Sequence, residues 1–309
     1  MGSASFSPSG RQYEISSGPI RLVATEVGAS IRRLDVDGIA ILEPFAVDAL
    51  SDGAHGALLA PWPNRIPTGR YAFGGRECQL DLSDPSHGAA IHGLLRWQPF
   101  ACSLHVTDAV TLEHLLWPSP GYPFALQLAV TYSLDEAGLR VRVEVHNLGM
   151  ETCPFALGHH PYVAAGEDAH VDDLLIRVPG LEFATMDARG ELVGWQEVDG
   201  SAYDFRSGRI VGDQVLDGVL RGGIRGSDGR LRVDVRRPDE REVTLWMDEH
   251  FDYVQLFSGD TLAPDRRRRG LAIEPMTAPP GAFRSGEGVQ LVAPKEKVVM
   301  EWGIELRSR

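Results

Sequence analysis

Apolar and polar residues alternate with a period of two along much of this chain. The clearest stretch runs over 126–145. Leu126, Leu128, Val130, Tyr132 and Leu134 alternate with Gln127, Ala129, Thr131 and Ser133. After Asp135-Glu136-Ala137-Gly138, Leu139, Val141, Val143 and Val145 alternate with Arg140, Arg142 and Glu144. Successive side chains of a strand point to opposite faces, so this pattern predicts a β-hairpin with one buried and one wetter face. The same period recurs at 20–24, 31–36, 231–235 and 243–247. Helical periodicity is missing apart from short ambiguous stretches such as 47–50. The 34 glycines and 20 prolines are spread evenly, as expected of many short elements joined by turns.

Length alone leaves one large domain or two ordinary ones open, since β-sandwiches can reach about 250 residues as one unit. No internal repeat or low-complexity boundary splits the 309 residues, and the breaker-rich stretches 222–230 and 263–270 have the length of loops. The pattern therefore predicts an all-β chain folded as one large antiparallel β-sandwich over 1–309, with 1–17 as a loosely ordered tail.

Composition removes several functional classes. The chain carries 30 Lys and Arg against 43 Asp and Glu, a net charge of −13. Its overall field repels phosphate, which argues against nucleic acid and anionic membranes as partners. No apolar run approaches the roughly 18 residues of a membrane span, and 1–11 lacks the basic-then-apolar order of a secretory signal. Three cysteines (Cys78, Cys102 and Cys153), odd in number and without CxxC spacing, suggest a reduced, cytoplasmic protein. The only lysines are Lys295 and Lys297, and neither follows a glycine-rich loop that would cradle phosphate. No GxGxxG follows a strand and there is no GxSxG elbow. The ten histidines include no HxH, no HExxH and no zinc-type spacing with cysteine, so no metal is expected.

Five short segments concentrate polar and aromatic residues beside glycine and proline. They are Pro61-Trp62-Pro63-Asn64-Arg65-Ile66, Ile91-His92-Gly93-Leu94, Gly158-His159-His160-Pro161-Tyr162, Leu216-Asp217-Gly218 and Ile273-Glu274-Pro275-Met276-Thr277. In this order they resemble the aldose 1-epimerase (galactose mutarotase) family: an Asn-Arg followed by Ile, a His-Gly, a His-Pro-Tyr, an Asp, and a late Glu in a strand. The phrase from Glu274 to Phe283 is similar to that of the bacterial branch containing the sulfoquinovose mutarotase-like members. The resemblance spans roughly 18–306. It implies a galactose mutarotase-like supersandwich with an open cleft across one sheet. It also implies His160 as general acid, Glu274 as general base, and Arg65, His92 and Asp217 as holders of sugar hydroxyls, with no metal or organic cofactor.

These residue types suit the reaction so implied. Exchanging the α and β anomers of a pyranose requires a base to take the anomeric hydroxyl proton while an acid protonates the ring oxygen. The C1–C2 bond then rotates and the ring closes with the roles reversed. A carboxylate and an imidazolium form a suitable pair near neutral pH. Asp217 is expected to help hold His160 protonated by charge attraction.

Other assignments follow from position. On a strand, His159 and His160 point to opposite faces, so only one faces the cleft; the motif favours His160 and leaves His159 a structural role. Asn64 and Arg65 sit together on the substrate side. Arg65 either pairs with a carboxylate or uses its forked donors on paired hydroxyls. Trp62, Trp97, Tyr162 and Phe283 either form a sugar-stacking wall or pack in the core, and Trp62 and Tyr162 are assigned to the substrate side. The run Arg266-Arg267-Arg268-Arg269 is expected to be a solvated loop. Arg96, four residues after His92, motivates an alternative in which the sugar is anionic, a hexose 6-phosphate or 6-sulfonate. A non-catalytic sugar-binding module is the remaining alternative, disfavoured because both the acid and base positions are filled.

Overall fold

The structure, a computed structural model, describes residues 7–187 and 190–307. Two large antiparallel sheets dominate it. The first runs in spatial order Gln12–Ser17, Ile20–Thr25, Ile31–Val36, Ile39–Leu42, Tyr162–Ala164, Gly270–Met276, Tyr253–Phe257, Asp217–Arg221, Glu182–Met186 and Leu192–Glu197. Two short strands, Leu58–Leu59 and Gly158–His159, branch from Gly270–Met276. The second sheet runs Ala101–His105, Ala109–Leu116, Leu126–Asp135, Gly138–Asn147, Lys297–Arg307, Glu242–Met247, Leu231–Arg236, Leu175–Arg177 and Arg209–Ile210. Helix is confined to Ala282–Ser285 and two single turns, Asp52–Ala54 and Val171–Asp173, among the described residues.

The predicted hairpin forms with Asp135 opposite Gly138. The Asp135 carboxylate accepts the N–H of Ala137 at 2.8 Å and of Gly138 at 3.2 Å, which closes the turn. Along Leu126–Asp135 every second side chain is buried, as the alternation requires. Those side chains meet the inner face of the other sheet. Ile15, Leu22 and Leu34 join Val130, Val143 and Leu245 in one continuous buried cluster. Each such side chain removed from water contributes about 1.5–3 kcal/mol, so the face-to-face packing is what orders the two sheets.

Alternation disappears in the middle of the first sheet. All seven residues of Gly270–Met276 are buried, as are four of the five in Tyr253–Phe257. These strands are covered on both sides: Leu271, Ile273, Val254 and Leu256 face the inter-sheet core, while the intervening residues face a cleft on the other side.

Three expectations are corrected. Strand Gln12–Ser17 pairs along its whole length with Ile20–Thr25, so this part of the expected tail is an ordered edge strand; 1–6 lie outside the described residues. The ambiguous stretch 47–50 is a turn. The arginine run is not a solvated loop, and only Arg267 is exposed. Arg268 is nearly enclosed. Its Nε donates to Asp172 at 2.7 Å, Nη1 to both Asp260 oxygens at 2.9 and 3.0 Å, and Nη2 to the Gly212 carbonyl at 2.8 Å. Arg269 donates to the Glu167 carbonyl at 2.7 Å. Charge runs are usually solvated because a bare guanidinium strongly prefers water. Here carboxylates and carbonyls from distant segments replace that water.

Arg268→Met is expected to lower unfolding free energy by roughly 3 kcal/mol in urea denaturation, because it strands two carboxylates and a carbonyl. Arg267→Met is expected to stay within about 0.5 kcal/mol of the parent.

Candidate active site

A cleft of about 400 Å³ opens on the first sheet, on the face away from the core. Its floor comes from neighbouring strands. Gln255 lies directly opposite Glu274 in register, Phe257 lies opposite both Asp217 and Ala272, and Tyr162 also pairs with Ala272. With a side-chain period of two, this register places Glu274, Gln255, Asp217 and Tyr162 on one face.

The rim comes from the loops that carry the first two motifs. Asn64 and His92 both have left-handed backbone, φ 54° and 60°, a region that Asn and His enter more readily than most residues. The two lock each other: His92 N–H donates to the Asn64 carbonyl at 3.0 Å, and Asn64 N–H donates to His92 Nδ1 at 3.2 Å. Because Nδ1 accepts, the ring proton is on Nε2, which remains as a donor. Gly93 is required beside His92, since a Cβ there would lie 2.0 Å from the Ala60 carbonyl oxygen.

His160 and Glu274 meet at the bottom. His160 Nε2 is 3.2 Å from Glu274 Oε1, and both side chains are almost wholly excluded from solvent. Neither His160 Nδ1 nor Glu274 Oε2 has a hydrogen-bond partner among the described residues. Burial pushes the Glu274 pKa well above the usual carboxylate value, and the nearby Asp217 charge adds to this. Burial pushes His160 well below 6.5, with His55 and Arg96 adding to it. The expected role of Asp217 is thus corrected: its charge raises the Glu274 pKa. Burial disfavours the ionised form of both groups in the ligand-free cleft.

Around this pair stand groups suited to polar ligands. Arg65 donates to Asp84 at 2.8 Å, so it pairs with a carboxylate, and it also lines the cleft. Burial pushes the Asp84 pKa up, but hydrogen bonds from Ser86, Arg65 and His87 outweigh it and hold Asp84 ionised, well below the usual range. Arg96 and Trp97 line the rim, with the guanidinium 5.3 Å from the indole centroid. His92 is held neutral chiefly by burial.

Most of the residues singled out from sequence come together here: Asn64, Arg65, His92, Arg96, His160, Tyr162, Asp217 and Glu274 all line the cleft. Trp62 does not. It is 1% exposed and packs against Phe283 at 5.7 Å between ring centroids, within the core, so its assignment as a substrate contact is corrected. Phe283 is likewise core, against Tyr71 and Tyr122. Both rings sit on the inner side of the chain that carries Asn64 and Arg65, where packing outweighs exposure. His159 points between the sheets, its ring 5.0 Å from that of Trp302, and burial pushes its pKa down to about 3.

Sequence reasoning missed Gln255. Its amide donates to Asp217 at 2.7 Å and accepts from Asn64 Nδ2 at 3.3 Å, linking floor to rim. The only signal was a polar residue inside the apolar run 253–257.

Comparison with known proteins agrees with this architecture. An aldose epimerase homologue from Caenorhabditis elegans superposes with a TM-score of 0.84 at 17% identity, covering 96% of this chain and 98% of its own. A galactose mutarotase-like protein from Clostridium acetobutylicum gives 0.82 at 16%, covering 96% and 95%. The fold is therefore galactose mutarotase-like. The model of the Aldose 1-epimerase family matches residues 11–304, and the chain belongs to that family. In sequence it is 32% identical over 280 residues to the uncharacterized protein YihR of Escherichia coli K12, covering 90% of this chain and 87% of that one.

Gln255→Leu is expected to cost about 1 kcal/mol of stability, because it leaves the Asp217 carboxylate and the Asn64 amide without this hydrogen-bond partner. Burial already raises the Asp217 pKa against the lowering effect of the Gln255 bond. A carboxyl ¹³C NMR titration of the variant is expected to show it raised further.

Proposed function

We propose that this protein is a mutarotase that interconverts the α and β anomers of a hexopyranose, with His160 and Glu274 as the proton-transfer pair. The observation that carries this reading is their buried 3.2 Å contact at the bottom of a cleft lined by hydrogen-bonding groups. The anomeric hydroxyl and the ring oxygen share one carbon, so two groups this close can serve both at once.

Starting from the ring, Glu274 as carboxylate takes the O1 proton, C1=O1 forms, the bond from C1 to the ring oxygen breaks, and His160 as imidazolium protonates that oxygen. The open-chain sugar then faces a neutral Glu274 and a neutral His160, which is the protonation state that burial favours in the ligand-free cleft. Rotation about C1–C2 and reclosure run the transfers backward. The pair carries one proton and no net charge throughout, so the cleft never needs to resolvate an isolated ion. His92 Nε2–H, Arg65 and Asp217 hold the sugar hydroxyls in this mechanism, and no step calls for a cofactor.

A second reading concerns the sugar. Arg96 is half-buried at the rim and makes no ion pair among the described residues, although the charge of Asp84 acts on it. An unpaired guanidinium in a largely buried position favours an anionic group on the ligand, such as the 6-phosphate or the 6-sulfonate of sulfoquinovose.

Polarimetry or NMR exchange on glucose, galactose, glucose 6-phosphate and sulfoquinovose tests both readings. Glu274→Gln and His160→Asn are each expected to cut accelerated mutarotation by about 10²–10⁴-fold in a folded protein. Full activity in either refutes the assignment, and sugar binding by calorimetry without any rate enhancement in the parent protein indicates a binding module. Because activity requires one proton on the pair, kcat/KM is expected to be flat through neutral pH. It should fall when acid adds a second proton, below the ordinary histidine value of 6.5, and fall again when alkali removes the shared one. For an anionic substrate, Arg96→Ala should raise KM roughly tenfold or more while leaving KM for glucose nearly unchanged; equal effects refute the anionic reading.

A further inference from the structure

Catalytic histidines are usually aimed by a hydrogen bond to the ring nitrogen away from the chemistry. His160 has none: Nε2 faces Glu274, and Nδ1 makes no hydrogen bond among the described residues. Something else must set the plane of this imidazole. Two ring contacts are available. His92 meets it edge-on at 5.4 Å and 80°, and Tyr162 lies nearly parallel to it at 4.9 Å and 17°.

Tyr162 is itself held from behind. The ring of His55 stacks on it at 3.8 Å and 10°, so three nearly parallel rings stack in series from His55 through Tyr162 to His160. The rings of His55 and Tyr162 are both tied to the same single turn, Asp52–Ala54. His55 Nδ1–H donates to the Asp52 carbonyl and the Tyr162 hydroxyl donates to the Gly53 carbonyl, each at 2.7 Å. The backbone that follows is fastened to His160 on both sides: Gly56 N–H donates to the His160 carbonyl at 2.9 Å, and His160 N–H donates to the Ala57 carbonyl at 3.0 Å. Gly56 is obligatory there, since a Cβ would lie 1.9 Å from the Ile31 carbonyl oxygen. His55 is 1% exposed, and burial brings its pKa down to about 4, which keeps it a neutral, flat, singly donating ring.

We propose that His55 is a positioning residue: by clamping Tyr162 flat against His160 from the Asp52–Ala54 turn, it sets the plane in which His160 meets Glu274. The column takes the place of the missing hydrogen bond at Nδ1. Dispersion between stacked rings is weak per contact but strongly dependent on plane and offset, and small misplacements at a reacting centre are costly. The effect on turnover rests on the mutarotase reading above; the effect on the imidazole does not.

The test compares His55→Phe, which keeps a flat ring but loses the Nδ1 bond, with His55→Leu and His55→Ala, which remove the flat face with and without filling the space. Leu and Ala are expected to lower kcat for mutarotation roughly 10- to 100-fold with KM changed less than about threefold, and Phe is expected to recover most of kcat. In the ligand-free proteins, the His160 ring-proton NMR signals should shift in Leu and Ala and return toward parental positions in Phe. Parental kcat in Leu or Ala, no advantage of Phe over Leu, or unmoved His160 signals in all three overturns the proposal. If Ala does not fold, the Leu and Phe pair decides. If the parent protein accelerates no sugar on the panel, the mutarotase reading fails, and the NMR comparison still decides whether the column sets the imidazole.

Discussion

A carboxyl and an imidazole face each other at 3.2 Å, almost wholly excluded from solvent, and their remaining polar atoms find no hydrogen-bond partner among the described residues. An isolated charge at either position would be prohibitively expensive. Together, Glu274 and His160 are neutral overall whichever of them holds the proton, so the penalty is limited to moving that proton a short way within the pair. The condition is that the two stay within contact distance and correctly facing. The register that sets Glu274 opposite Gln255, the backbone bonds on either side of His160 and the stacked rings behind it all serve that condition.

The fold supplies that condition through an uncommon use of a central strand. In most of this molecule a strand has one face in the core and one in water. Gly270–Met276 and Tyr253–Phe257 instead have the core on one face and the cleft on the other. A site built there inherits the rigidity of the sheet, while the loops that carry Asn64 and His92 close over it. Gln255 joins these two layers. It is bonded at once to Asp217 on the floor and Asn64 on the rim, which orders polar groups that would otherwise be buried at a cost.

Legibility in the sequence divides along the same line. The hairpin 126–147 and the strand Leu231–Arg236 were readable because their outer faces are less buried, so burial leaves a two-residue rhythm. The central strands carry no such rhythm, since both faces exclude water, and they were visible only as motifs: Glu274 beside proline, Asp217 beside glycine. Those motifs named seven residues that share the cleft. They misjudged Trp62, because an aromatic beside a motif residue has equal reason to stack on a ligand or to fill the core. The arginine run was misjudged because its partners, Asp172, Asp260 and the carbonyls of 212 and 167, are remote in sequence. Gln255 and His55 belong to no motif, and their work consists of contacts across 38 and 107 residues of chain.

What the sequence by itself determined is the class of fold and the kinds of groups at the site: alternation dictates antiparallel sheets, and the ordered motifs supply an acid, a base and hydrogen-bonding side chains. Tertiary structure decided how those groups stand toward one another. It put Asp217 to work on Glu274 rather than on His160, withdrew Trp62 and Phe283 into the core, and left Arg96 without an ion pair among the described residues. The physical reason is that protonation, orientation and pairing depend on distance and on the exclusion of water, and neither exists until the strands are in register and the loops have closed over them.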